Sequence, residues 1–156
     1  MTDFAHSNRI SKDELEVLEA YTAEVPVRVG ALAKALGLEV VLATLPMNIS
    51  GMIQPRDDGF VIKVNRFEPK ERQRFTIAHE VAHFLLHKNR ILHGVTDSVL
   101  YRSRLSSALE AEANRLAADI LMPREAVRRA LALEDHISDD VIARLAEKFR
   151  GCILRQ

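Results

Sequence analysis

The sequence predicts a single α+β domain in which a small antiparallel sheet is followed by a helical half. The chain has 156 residues, the size of one compact domain, and its 47% hydrophobic and 28% charged residues are ordinary for a globular protein. Strand-forming residues dominate segments 39–44, 49–54 and 60–65. From residue 69 onwards, apolar residues recur with helical spacing. Strands followed by a run of helices are typical of the α+β class.

The boundaries of the predicted elements follow from capping and turn residues. Residues 11–21 form a predicted first helix, with Ser11 as its N-cap and Glu14 at the capping-box position. A short second helix over residues 27–36 ends at Gly37. Residues 55–59 carry a turn signal that joins the second and third strands. The predicted helices of the second half cover residues 69–87, 105–121, 123–133 and 137–149, the last capped by Ser138, with residues 90–100 as a loop.

Charge and composition limit the classes of function. Lys plus Arg and Asp plus Glu number 22 each, so the chain has no overall electrostatic reason to bind nucleic acid or an acidic membrane. The single cysteine, Cys152, excludes an intramolecular disulfide and a cysteine-based metal site. The first residues lack a signal peptide, and no apolar run approaches the roughly 20 residues of a membrane span. We therefore expect a soluble cytoplasmic protein.

The strongest chemical pattern is His79-Glu80-Val81-Ala82-His83 on the first long helix of the second half. Histidines four residues apart lie about 40° apart around a helix and can converge on one metal ion. Glu80, about 100° from His79, can reach a water that the metal activates, as a general base for hydrolysis does. Apolar residues flank this polar stripe on both sides, which predicts a buried site. His87, one turn further on, is expected to mark the solvated end of the helix.

A third metal ligand is needed, and the second long helix offers Glu110 and Glu112. Glu110 shares a helical face with small apolar residues suited to packing, whereas Glu112 shares its face with Arg115 and Asp119, which look like exposed ion pairs. This phase selects Glu110 as the ligand. It also places Asn114, one turn on, where it could hydrogen-bond a ligand histidine. Two imidazoles and one carboxylate favour Zn2+, with Mn2+ as the alternative.

Residues 74–87 (RFTIAHEVAHFLLH) and 110–123 (EAEANRLAADILMP) together resemble the two motifs of the ImmA/IrrE family of zinc metallo-endopeptidases. The resemblance covers a core of residues 25–149. It leaves residues 1–24 as an N-terminal helical extension and residues 150–156 as a short tail, where many members continue into another helix.

The family resemblance carries expectations about fold, site and substrate. It implies a zincin-like domain with a small sheet beside the active-site helix. It also implies that His79, His83 and Glu110 bind zinc and that Glu80 is catalytic. Members cleave helix-turn-helix transcriptional repressors, which implies such a repressor as the protein substrate and a role in transcription regulation.

Substrate contacts are less well defined by the sequence. We expect the substrate segment to pair with a sheet edge, with residues 60–65 as the leading candidate. A side chain that stabilises the oxyanion is also expected, and His93, Tyr101 and Arg102 are candidates between which the sequence does not choose.

Two alternative functions remain at this point. Residues 29–38 and 141–149 each resemble the opening of a helix-turn-helix, which would make the chain a DNA-binding module. A basic exposed helix after Gly37 would favour that interpretation, whereas a strand would not. The other alternative is a metal-binding regulatory or toxin–antitoxin component without protease activity. Bound zinc without proteolysis of a repressor would favour it.

Overall fold

The computed structural model describes residues 4–92 and 107–149, and its order of elements confirms the α+β class. A 3-10 turn at Ser7–Arg9 precedes two helices, three strands follow, and helices make up the rest. The elements are α1 (Lys12–Thr22), α2 (Val29–Ala35), β1 (Leu38–Ala43), β2 (Gly51–Arg56), β3 (Gly59–Asn65), α3 (Lys70–Leu92), α4 (Ser107–Leu121), α5 (Arg124–Ala132) and α6 (Asp139–Lys148).

The three strands form one sheet in the order β1-β3-β2. β2 and β3 are an antiparallel hairpin whose two-residue turn contains Asp57 at a positive φ of 49°, a conformation that Asp tolerates. β1 pairs with β3 in parallel, with Leu38 opposite Phe60. The sheet is therefore mixed, and the prediction of a purely antiparallel sheet was wrong for the β1–β3 pair.

The strand order corrects two further predictions. β3 lies between β1 and β2, so residues 60–65 have a neighbour on each side and offer no edge to a substrate. The edges of this sheet are β1 and β2. The strand β1 also begins at Leu38, directly after Gly37, so no recognition helix follows α2 and the helix-turn-helix interpretation of residues 29–38 was wrong.

The helix α3 is the centre of the core. It packs against α4 on one side and against β2 and β3 on the other. Its two apolar faces are buried as predicted, because Ala78, Val81 and Ala82 are fully covered by these neighbours. α3 runs to Leu92, beyond the predicted end at residue 87, with non-helical backbone angles at His87. Among the described helices, none is both long and apolar enough to cross a membrane.

The N-terminal segment is tied to the helices that follow it. Ser11 caps α1 in a complete capping box with Glu14, as predicted, and α1 packs against α2 and α4. The backbone N–H of Ala5 donates to Asp119 on α4 over 2.8 Å, and Lys88 on α3 pairs with Glu14. Residues 4–22 therefore cover the same side of α3 and α4 that carries His87.

Candidate metal centre

The two histidines of α3 meet at the surface of α4. The Nε2 atoms of His79 and His83 lie 3.0 Å apart, and their rings are nearly perpendicular, with an interplanar angle of 88°. Both residues are buried, at 7% and 1% exposed. The four-residue spacing on a helix therefore brings the two ring nitrogens to one point, as the sequence predicts.

Glu110 on α4 completes this group. One carboxylate oxygen lies 3.1 Å from Nε2 of His79 and the other lies 3.2 Å from Nε2 of His83. Burial acts to raise the pKa of Glu110, but hydrogen bonds with His79 and His83 together outweigh it and hold the pKa well below its ordinary value of 4.5. The carboxylate is therefore ionised at neutral pH. We call His79, His83 and Glu110 the metal-ligand group.

The donor set of the metal-ligand group fits a metal ion. Its ligand atoms all lie within 4.8 Å of one another, and the three nearest separations of 3.0, 3.1 and 3.2 Å approach the ~3.3 Å edge of a tetrahedron with ligands about 2.0–2.1 Å from its centre. Two Nε2 atoms this close cannot both carry a proton, so at least one lone pair points at the other ring and at the carboxylate. A cation at this point satisfies all three groups.

Glu80 follows His79 on α3 and is 1% exposed. In the part of the chain that the structure describes, its carboxylate does not belong to the metal-ligand group. Glu80 therefore directly follows a histidine of the group on α3 without being a fourth ligand in it. This position agrees with the predicted division between ligands and base, while the role of Glu80 stays a prediction.

A cavity of about 160 Å³ opens beside the metal-ligand group. Asn114 is exposed and lines this cavity, and none of the hydrogen bonds among the described residues joins its side chain to a histidine. The predicted support of a ligand histidine by Asn114 stays a prediction. The other residues that line the cavity are Ser50, Arg72, Phe75, Thr76, His79 and Glu110.

His87 does not mark a solvated end of the helix, so that prediction was wrong. It is 4% exposed, and its Nδ1 lies 2.9 Å from Nδ1 of His83. Its Nε2 lies 3.3 Å from Oε1 of Glu112. Burial lowers the pKa of His87, and the hydrogen bond with Glu112 only partly opposes this shift. The residue is covered because the N-terminal segment packs where the sequence suggests open solvent.

Glu112 points away from the metal-ligand group, as predicted, but it does not form exposed pairs with Arg115 and Asp119. Its Oε2 pairs with the guanidinium of Arg9, and it contacts His87 through Oε1. Burial acts to raise the pKa of Glu112, and the bonds from Arg9 and His87 bring it below its ordinary value. Asp119 is 8% exposed and accepts the hydrogen bond from the N-terminal segment.

The candidates for oxyanion stabilisation, His93, Tyr101 and Arg102, lie outside the described residues.

The sequence analysis did not predict the contact of Arg9 with Glu112 or the burial of His87. The repeated four-residue spacing from His79 through His83 to His87 was the available signal for His87.

An arrangement in which one helix supplies two histidines and a neighbouring helix supplies a carboxylate is typical of metallopeptidase domains. Residues 33–151 match the family described as Peptidase_M78, the IrrE N-terminal-like domain. The chain belongs to this family. Membership and the metal-ligand group together imply a bound metal ion.

Two relatives illustrate the similarity and its extent. Over 119 residues the chain is 32% identical to the radiation response metalloprotease IrrE of Deinococcus radiodurans, a match that covers 74% of this chain and 35% of that protein. The fold resembles a solved structure titled Mycobacterium tuberculosis transcriptional regulator, with a TM-score of 0.52 at 21% identity, over 94% of this chain and 46% of that one. The chain thus spans about a third to a half of the length of these two proteins.

Proposed function

We propose that this protein is a zinc-dependent endopeptidase that cleaves a peptide bond in a protein substrate. One observation carries the proposal. His79, His83 and Glu110 bring two imidazole nitrogens and a carboxylate to one point, and the helix that supplies the histidines also carries the buried Glu80. A ligand set of two nitrogens and one carboxylate favours zinc over manganese, and three protein ligands leave a position open for chemistry.

The proposed mechanism assigns a separate task to each side chain. His79, His83 and Glu110 would hold the ion, which would supply Lewis acidity and lower the pKa of a water molecule. Glu80 accepts a proton from the attacking water molecule as the oxygen of that water adds to the scissile carbonyl carbon. Glu80 then delivers the proton to the leaving amine nitrogen. Proton transfer by a positioned carboxylate contributes a factor of about 100 to 10,000 to the rate.

β2 replaces β3 as the proposed docking strand for the substrate. It is the sheet edge that packs against α3, and Ser50, the residue before its first residue, lines the cavity at the metal-ligand group. An extended peptide can add to such an edge through its backbone. Pro55 near the end of β2 lacks an N–H donor, so pairing is expected along its first four residues, from Gly51 to Gln54.

The proposed substrate is a helix-turn-helix transcriptional repressor. The support is the resemblance of the two motifs to the ImmA/IrrE family, whose members cleave such repressors. Cleavage of the repressor would release the genes that it silences, which gives the enzyme its proposed part in transcription regulation.

The test compares wild type with Glu80→Gln and with Glu71→Gln, a matched exposed position in the first turn of the same helix. Each variant is co-expressed with the helix-turn-helix repressor whose gene lies nearest to the gene of this protein. We expect Glu80→Gln to retain zinc, measured by elemental analysis, and to cleave at least about 100-fold more slowly. Glu71→Gln should behave as wild type. Cleavage by Glu80→Gln at the wild-type rate would refute the base assignment, and zinc without any cleavage by wild type would favour a metal-binding regulatory component.

A further inference from the structure

A row of contacts runs from the metal-ligand group to the N-terminal segment. The first joins Nδ1 of His83 to Nδ1 of His87 over 2.9 Å. The second joins Nε2 of His87 to Oε1 of Glu112 over 3.3 Å. The third joins Oε2 of Glu112 to the guanidinium of Arg9, which lies 103 residues away in sequence. His87 thus contacts His83 through Nδ1 and Glu112 through Nε2. Glu112 contacts His87 through Oε1 and Arg9 through Oε2.

The protons in this row can be assigned in only one direction when His83 binds a metal. A metal ligand at Nε2 must offer its lone pair there, so the ring proton of His83 sits on Nδ1. That N–H donates to Nδ1 of His87, which must then carry no proton. The proton of His87 therefore lies on Nε2 and is donated to the carboxylate of Glu112. Every donor in the row has an acceptor.

We propose that His87 and Glu112 are positioning residues that fix the ring orientation and tautomer of His83, and that Arg9 holds Glu112 in place for this task. The proposal rests on the proposed role of His83 as a metal ligand. Ligand histidines whose second nitrogen is hydrogen-bonded bind metal more tightly because ring and tautomer are set in advance. His79 differs from His83, since its Nδ1 is buried without a hydrogen-bond partner among the described residues.

The assignment gives the N-terminal extension a part in the metal centre. Arg9 lies outside residues 33–151, the part that matches the family. Its pair with Glu112 is half exposed, with 40% and 23% of the two side chains accessible. An exposed ion pair contributes little energy, so Arg9 is expected to adjust metal affinity and not to decide it.

The first experiment uses two substitutions at one position in the full chain. His87→Phe keeps a ring of similar size but removes both nitrogens, while His87→Asn places an acceptor oxygen near the site of Nδ1. Zinc affinity is measured by competition with a chromophoric chelator, and the unfolding temperature of the metal-free proteins checks the fold. We expect His87→Phe to bind zinc about 10- to 100-fold more weakly and His87→Asn to recover part of the loss.

Substitutions at Glu112 and Arg9 test the proposed positioning of His83 and leave the buried ring of His87 in place. Glu112→Ala removes the acceptor of His87 and should weaken zinc binding by roughly tenfold. Arg9→Ala should weaken it by roughly two- to fivefold, whereas Lys12→Ala, an exposed basic position nearby, should have no effect. These two arms decide the question if His87→Phe does not fold.

Nuclear magnetic resonance of zinc-loaded, ¹⁵N-labelled protein provides the direct readout. We expect the Nδ1–H proton of His83 to be protected from exchange with solvent in wild type and in His87→Asn, and to lose that protection in His87→Phe. Wild-type zinc affinity in His87→Phe and Glu112→Ala, or equal losses in His87→Phe and His87→Asn, would overturn the inference. If the wild-type protein binds no zinc, the proposed function fails instead.

Discussion

The contact between β2 and α3 at Gly51 gives a quantitative prediction about the wall of the metal centre. A Cβ atom on this residue would lie 2.4 Å from Cγ2 of Thr76 and 2.7 Å from the backbone oxygen of Lys63. Neither neighbour can give way easily, because Thr76 is β-branched and stiff and the carbonyl belongs to the central strand β3. The substitution Gly51→Ala must therefore push β2 away from α3.

The expected magnitude follows from the cost of overpacking. Forcing an extra carbon into a filled site costs about 1–3 kcal/mol of the free energy of unfolding. For a chain of this size each kcal/mol lowers the melting temperature by roughly 2–4 °C, so we expect Gly51→Ala to melt roughly 2–12 °C below wild type. Thr76 and Ser50 both line the cavity beside the metal-ligand group, so zinc affinity should fall as well.

Gly30 provides the matched control for this substitution. It lies in the helix α2, and a Cβ atom there would meet no atom within 4 Å. Gly30→Ala should stabilise the protein by about 0.4–1 kcal/mol, because alanine loses less backbone entropy on folding. Thermal and urea unfolding of the metal-free proteins measure both changes. The reasoning is refuted if Gly51→Ala unfolds within about 0.5 kcal/mol of wild type.

Three further predictions concern the fold and the metal. The side chain of Asn65 is buried, donates to three backbone carbonyls and accepts from one backbone N–H. Asn65→Ala should therefore lower the free energy of unfolding by about 1–3 kcal/mol, measured in urea. An equally large loss in Asn48→Ala, at an exposed position, would contradict this reasoning. Ser11→Ala removes the N-cap of α1 and should cost about 1 kcal/mol, and an unchanged melting temperature would speak against the cap. Glu110→Ala should abolish zinc binding at micromolar concentration, since it removes one of three ligands; elemental analysis after dialysis detects any retained zinc.

Local rules predicted the parts of the fold that depend on neighbouring residues. The capping box at Ser11 and the N-cap at Ser138 are both present, and the β2–β3 hairpin forms around the predicted turn. The convergence of His79 and His83 also depends only on their spacing within one helix. Each of these features is decided within a few residues, and sequence spacing describes it directly.

The strand order could not be predicted in the same way. Alternating and continuous apolar residues mark a strand but do not name its partner, and β1 satisfies the same pattern beside either β2 or β3. Its parallel partner is about twenty residues away, with Leu38 opposite Phe60. The sequence therefore predicted the three strands but not their pairing. The antiparallel sheet was the simplest arrangement of three successive strands.

The prediction that His87 is solvated was wrong for a related reason. Helical phase places it on the same stripe as His83, yet burial depends on which other element covers that end of α3. The cover comes from the N-terminal segment, and the decisive contact, between Arg9 and Glu112, joins residues 103 positions apart. Glu110 faces His79 and His83, as its helical phase indicated, because α3 and α4 pack against each other, while its role as a metal ligand stays a prediction.

The strand order β1-β3-β2 also sets an expected sequence of folding events. The β2–β3 hairpin closes over a two-residue turn, which is fast because little chain entropy is lost. The parallel β1–β3 pair needs the closure of a much longer segment. Since α3 packs on β2 and β3 while α2 packs on β1, the histidine helix can settle on the hairpin before the first strand joins the sheet. The helix surface that presents His79 and His83 is then expected to be among the earliest parts of the molecule to become ordered.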